Sequence, residues 1–160
     1  MTPRRPSLKG RALRYLAARE HSRAELATKL APHLTEGDAP DAVERVLDEL
    51  AAKGFINEAR VVESVLHRRA GRLGGARVLH ELRAKGLPDE LLAAAAEQLR
   101  GTDLARAREV WRKKFGQAPA DAAERARQLR FLAARGFSGE VARRALDVRD
   151  EDDAGAGAGA

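Results

Sequence analysis

Leu82-Arg83-Ala84-Lys85-Gly86-Leu87-Pro88-Asp89-Glu90-Leu91-Leu92 and Leu132-Ala133-Ala134-Arg135-Gly136-Phe137-Ser138-Gly139-Glu140-Val141 follow one pattern, fifty residues apart. In each, an apolar-periodic run stops at a glycine. An apolar residue comes next, and a residue suited to a first turn opens another run. Gly86 and Gly136 stand where a left-handed cap ends a helix and the following apolar residue folds back on it. Pro88 with Asp89 and Glu90 fits a first turn, where the missing N–H costs nothing and negative charge is favoured. Leu30-Ala31-Pro32-His33-Leu34 holds the corresponding place 52 residues before Leu82, without the glycine and with a longer loop, residues 35–39.

Outward from these stretches the helical period continues. Val43, Val46, Leu47 and Leu50 recur at i, i+3, i+4 and i+7, one face of a helix. Val62, Val65 and Leu66 follow the same spacing, as do Val78, Leu79 and Leu82, then Leu104, Trp111 and Phe115, then Leu129, Leu132 and Ala133. Alternating β-branched runs are absent and aromatics make up 4% of residues, which leaves little from which to build a sheet. Ser22-Arg23-Ala24-Glu25 has the form of a capping box, and Asp121-Ala122-Ala123-Glu124 repeats it with an aspartate cap. The reading is an all-α chain of nine helices, near 8–19, 22–33, 40–53, 57–70, 75–85, 88–100, 102–115, 121–135 and 138–147.

A period near fifty groups these helices in threes. The expected organisation is three tandem three-helix repeats forming an elongated, curved body, at residues 8–54, 55–100 and 101–147. Residues 1–7 read as a flexible basic arm and 148–160 as a disordered acidic and Ala-Gly tail. Each repeat has too few large apolar residues to stand well alone, so neighbours are expected to share faces.

Composition narrows the function classes. The chain has 160 residues, 30 Lys and Arg against 24 acids, and a net charge of +6. From Asp147 onward there are five acids and one base, so residues 1–146 alone carry +10. Such a field favours polyanions or nucleoprotein surfaces. There is no cysteine, hence no disulfide framework or thiolate site. No stretch approaches the ~20 apolar residues of a membrane span, and the basic start has no apolar core behind it. A cytoplasmic protein is expected.

Catalysis finds no footing in the sequence. His21, His33, His67 and His80 do not pair at i, i+3 or i+4, so metal spacing is lacking. Gly71, Gly74 and Gly75 follow a helix and lack the Lys-Ser/Thr ending of a phosphate loop. The reading is a non-enzyme without cofactor or metal. The candidate binding residues are basic and fall in three groups: Arg68, Arg69, Arg72, Arg77, Arg83 and Lys85; then Arg112, Lys113 and Lys114; then Arg127, Arg130 and Arg135 within a longer run from Arg125 to Arg144. Singly, many such residues belong to solvated faces or i, i+4 pairs such as Glu81–Lys85 and Glu140–Arg144. Together they exceed what nearby acids match. Tyr15, Trp111, Phe115, Phe131 and Phe137 lie mostly in apolar stripes and read as core, which argues against a stacking platform for single strands.

The ordered set of motifs resembles the RecX regulators. Ser22-Arg23-Ala24-Glu25-Leu26 with Lys29-Leu30, and the run LDELAAKGFINEAR at 47–60, resemble their first part. Gly74-Gly75-Ala76-Arg77-Val78 with Glu81-Leu82-Arg83-Ala84-Lys85-Gly86 resembles their middle repeat. Lys113-Lys114-Phe115-Gly116 and the segment from Arg130 to Phe137 resemble their third. Two departures are Val61, where an aromatic is common, and the Pro32-His33-Leu34 break. The resemblance, which runs over about 8–147, implies three three-helix repeats and a regulator that lodges in the groove of the RecA–DNA filament. There it would inhibit strand exchange, ATP hydrolysis and coprotease activity, in DNA repair and the SOS response. The expected partners are the RecA filament and single- or double-stranded DNA, with the chain a monomer and no membrane partner. The competing reading is a basic helical protein that acts by occupying DNA.

Overall fold

Serine and aspartate caps decide where four of the eight α-helices begin. Ser7 Oγ accepts from the Gly10 amide at 3.0 Å and opens α1, Leu8–Ala18. At Ser22 the expected capping box is complete: Ser22 Oγ accepts from the Glu25 amide at 3.1 Å, and the Ser22 amide donates to Glu25 Oε1 at 3.3 Å. That box opens α2, Arg23–Leu30, which runs into a 3₁₀ turn, Ala31–His33. Then follow α3 (Ala42–Ala52), α4 (Glu58–Arg69), α5 (Gly75–Ala84), α6 (Asp89–Lys114), α7 (Ala122–Ala134) and α8 (Gly139–Leu146). Asp121 and Ser138 cap α7 and α8 through the amides of Glu124 and Val141, at 2.8 and 3.2 Å. The computed structural model describes residues 3–147, and all regular elements among them are helical. Pro3 to Ser7 carry no regular element; the expectations for Met1, Thr2 and the 148–160 tail lie outside the described residues.

One expectation is corrected. The helices placed at 88–100 and 102–115 are a single helix, α6, which passes through Gly101 without a break. Glycine in a helix interior costs only about 1 kcal/mol relative to alanine. The following residues supply side-chain bonds across it: Thr102 Oγ1 donates to Gln98 O at 3.3 Å, and Arg106 Nη2 donates to Leu99 O at 3.2 Å. The described chain therefore has eight α-helices rather than nine.

These helices build two compact units, with the divisions falling inside α4, α5 and α6. One unit holds residues up to His67 with His80–Ala94, the other Arg68–Leu79 with residues from Ala95 onward. In the first, Ala12, Leu26, Leu30, Val43, Leu47, Leu50 and Ile56 form the core. In the second, Ala107, Val110, Leu132, Phe137, Ala142, Ala145 and Leu146 do so. Each fully buried leucine contributes roughly 1.5–3 kcal/mol of transfer free energy.

The same joint occurs once in each unit. In the first, the start of α2 meets the end of α5: Ser22 Oγ donates to Lys85 O, and a Cβ on Gly86 would lie 2.7 Å from Ala24 Cβ. In the second, the start of α5 meets the end of α7: the Gly74 amide donates to Arg135 O at 2.7 Å, and a Cβ on Gly136 would lie 2.4 Å from Arg77 Cγ. Both receiving glycines have positive φ, 66° and 95°. The glycine at the end of the motif thus does two jobs. It turns the chain in the left-handed region and leaves room for a neighbouring helix start. α2 ends instead in the Pro32 turn without such a glycine.

Candidate functional site

In the second unit four of the candidate basic residues line one groove. Its floor is apolar, with Val110 of α6 and Phe131 of α7. Its rim takes Arg72 from the turn after α4, Lys113 and Lys114 from the last turn of α6, and Arg135 just beyond α7. Gly71 completes a space of about 300 Å³. Each expected basic group contributes at least one member.

Phe131 organises this charge. Arg135 Cζ lies 4.8 Å and Lys114 Nζ 5.6 Å from its ring centroid. Phe115 meets its edge in a T-shaped contact at 5.2 Å, and Arg127 Cζ lies 5.4 Å from the Phe115 ring. Cations at such distances over an aromatic face gain about 0.5–1 kcal/mol at exposed sites. The α6 cations also stand at the negative end of that helix's dipole, which stabilises them there. The result is a cluster of positive charge around an apolar ring, suited to an anionic partner that also presents nonpolar surface.

The other candidate residues are placed differently. Arg112 pairs with Glu109 at 2.7 Å, and Lys113 approaches the same carboxylate at 3.7 Å. Arg127 pairs with Glu124 at 3.1 Å. Arg130 is exposed on α7, and Arg68 and Arg69 end α4. Arg77 is exposed and packs its stem against Gly136. Arg83 and Lys85 belong to the first unit. There Lys85 Nζ reaches Glu25 at 3.4 Å, with both side chains 13% exposed, which puts it in the α2–α5 joint.

Sequence reasoning passed over Arg106, whose side chain is 13% exposed in the second unit. Its guanidinium donates to Ala70 O at 2.7 Å, Leu73 O at 2.5 Å and Leu99 O at 3.2 Å, and it pairs with Asp103. Asp103 in turn accepts from the Gly75 amide at 3.1 Å, the start of α5. Arg106 also lies 5.9 Å from the Phe137 ring. Burial lowers its pKa, while Asp103 works in the opposite direction. It ties the α4–α5 turn, whose Arg72 lines the groove, to α6. A lone arginine in a run of many gives no signal of this role. Phe131 was read as core, and of the cations around it Arg135 alone lies within one helical turn in sequence.

His21 is 1% exposed. Its Nδ1 lies 3.0 Å from Arg19 O and its Nε2 2.8 Å from Lys29 Nζ, so a ring with Nδ1–H can donate to the carbonyl and accept from the ammonium. Burial lowers its pKa, as do Arg19 and Lys29, against the hydrogen bond to Arg19 and the Glu25 charge. Among the described residues no group of three or more His, Asp or Glu is placed to hold a metal ion. No helix there is long and apolar enough to cross a membrane.

Comparison with known proteins bears on the same segments. The family model for the first three-helix domain of RecX matches residues 9–50, and that for the third three-helix domain matches 102–146. The regulatory protein RecX of Leptothrix cholodnii is 59% identical over 154 residues, covering 95% of this chain and 96% of its own. That of Ralstonia nicotianae is 50% identical over 149 residues, covering 92% of each. Among solved structures, RecX from Lactobacillus salivarius superposes with a TM-score of 0.73 at 19% identity, over 89% of this chain and 96% of that one.

Proposed function

The chain belongs to the RecX family of regulatory proteins, and on that premise we propose that it binds the RecA–DNA filament and inhibits RecA. The inhibited activities are strand exchange, ATP hydrolysis and coprotease action, in DNA repair and the SOS response within the cytoplasm. It acts as a monomer and without chemistry of its own. Residues 8–54, 55–100 and 101–147 serve as its three repeats, the middle one lying between the two matched domains.

The observation that carries this reading is the groove at Phe131, where Arg72, Lys113, Lys114 and Arg135 surround an apolar floor. A nucleoprotein filament offers both components such a groove accepts: phosphates for the rim and protein surface for the floor. Arg130 and Arg127 extend the positive face along α7. The competing reading, occupation of DNA alone, uses the rim and leaves the floor without a purpose. The two differ in salt response, because 6–10 phosphate contacts lose about 10³–10⁵ in affinity between 50 and 200 mM salt.

The test is RecA ATPase on excess single-stranded DNA at about 150 mM salt, where purely electrostatic binding is weakened. Inhibition at amounts well below RecA is expected. Unchanged ATPase, with clear binding of free DNA, overturns filament binding in favour of DNA occupation.

A further inference from the structure

The groove at Phe131 has four rim cations, and among the described residues the carboxylate nearest them is Glu109, 3.7 Å from Lys113. The chain itself carries a matching run of charge: Asp150, Glu151, Asp152 and Asp153 follow shortly after α8. We propose that this acidic segment, 150–153, docks on the rim of its own chain's groove and competes there with anionic partners.

Reach supports this occupant. Asp147, the last described residue, accepts from Arg125 Nη1 of α7 at 3.3 Å, which fixes where the acidic segment starts. Phe131 and Arg135 lie six and ten residues further along α7, about 9 and 15 Å down the axis at 1.5 Å per residue. Ten residues at 3.6 per turn also bring Arg135 to within a quarter turn of the Arg125 face. The three to six residues from Asp147 to the acids span roughly 10–20 Å when extended. Four acids then face four cations. The tether is short, and a ligand joined through so few residues is held at an effective concentration on the order of millimolar. A contact too weak to form between separate molecules is populated at that concentration.

The functional consequence follows from competition. Any anionic partner entering the groove displaces the segment, so weak or sparse polyanions are excluded and dense ones admitted. Docking itself is a property of the isolated chain and stands apart from the filament reading. The identity of the displacing partner rests on that reading.

The experiment uses the full chain alone, as an equal mixture of unlabelled and ¹⁵N-labelled protein treated with a carbodiimide at low salt. Isopeptide bonds from 150–153 to Lys113 or Lys114, within molecules of one isotope, are expected. Their absence, mixed-isotope pairs, or equal yields at Lys9, Lys29 and Lys53 overturn the proposal. A second measurement reads binding of a fluorescein-labelled oligo(dT) probe. Neutralising the segment (Asp150→Asn, Glu151→Gln, Asp152→Asn, Asp153→Asn) is expected to tighten binding about fivefold at low salt, the scale of exposed ion pairs. That gain must vanish in a Lys113→Ala, Lys114→Ala background. No gain, or the same gain in that background, means that the acids act only through the overall field. Because neither measurement contains RecA, failure here leaves filament binding standing, and failure of the ATPase test leaves docking standing.

Discussion

Gly74 and Gly136 meet backbone to backbone: the Gly74 amide donates to Arg135 O at 2.7 Å, and a Cβ on Gly74 would lie 2.2 Å from the Gly136 carbonyl carbon. No flexible side chain stands in the way to give ground. Gly74→Ala is expected to destabilise by about 3 kcal/mol, the upper part of the overpacking range, because the backbone itself has to shift. Gly136→Ala adds the left-handed penalty of roughly 1–2 kcal/mol to the contact with Arg77. Urea unfolding of both variants against the parent checks the values.

Gly101 makes the opposite prediction. It lies in the interior of α6, and a Cβ there meets nothing within 4 Å. Gly101→Ala should stabilise by about 0.5–1 kcal/mol, from the smaller entropy lost on folding. The same urea titration, with the midpoint moving up and the slope unchanged, is the check.

Much of the fold was legible because its signals are local. Ser22 with Glu25, Asp121, and the glycines at 86 and 136 each declare a helix end within four residues. Gly101 misled because a glycine is read as a break, whereas Thr102 and Arg106 bond across that turn of α6. The groove was legible only as a list of basic residues. Arg72, Lys114 and Arg135 are separated by dozens of residues, and nothing in their spacing says that they share Phe131. Lys85 shows the same limit, since its contact with Glu25, sixty residues away, has no local signal in the sequence.

Arg106 is the next point of test. Its guanidinium answers three carbonyls and Asp103 from a side chain 13% exposed. Arg106→Leu leaves Asp103 partly buried without its cation and should cost about 3–5 kcal/mol. Arg106→Lys recovers only part, because an ammonium cannot fork across the same acceptors. Thermal unfolding of the three proteins should rank them arginine, lysine, leucine.

His21 sets an acid sensitivity. Burial and the neighbouring cations hold its pKa below the ordinary 6.5. The unfolded chain therefore binds the proton first. Its contribution is fully present above pH of about 6.5 and is lost as pH falls below that, at up to ~1.4 kcal/mol per unit. Glu25 does not mask this window. Although burial opposes it, the hydrogen bonds from Arg19 and the Ser22 amide and the Lys85 charge hold its pKa below 4.5, so its loss comes at lower pH. Unfolding free energies at pH 7.5, 6.5 and 5.5 should fall across the lower interval, and His21→Asn should flatten that fall.

The central claim is that the groove at Phe131 is what engages the RecA–DNA filament. The direct measurement is RecA ATPase inhibition by the parent and by a variant carrying Arg72→Ala, Lys113→Ala, Lys114→Ala and Arg135→Ala, matched for helicity and melting temperature. The variant should need about tenfold more protein, or greater, for the same inhibition, as expected for losing four exposed charge contacts of a few tenths to 1 kcal/mol each. Equal inhibition by the two proteins would contradict the assignment of the filament to this groove.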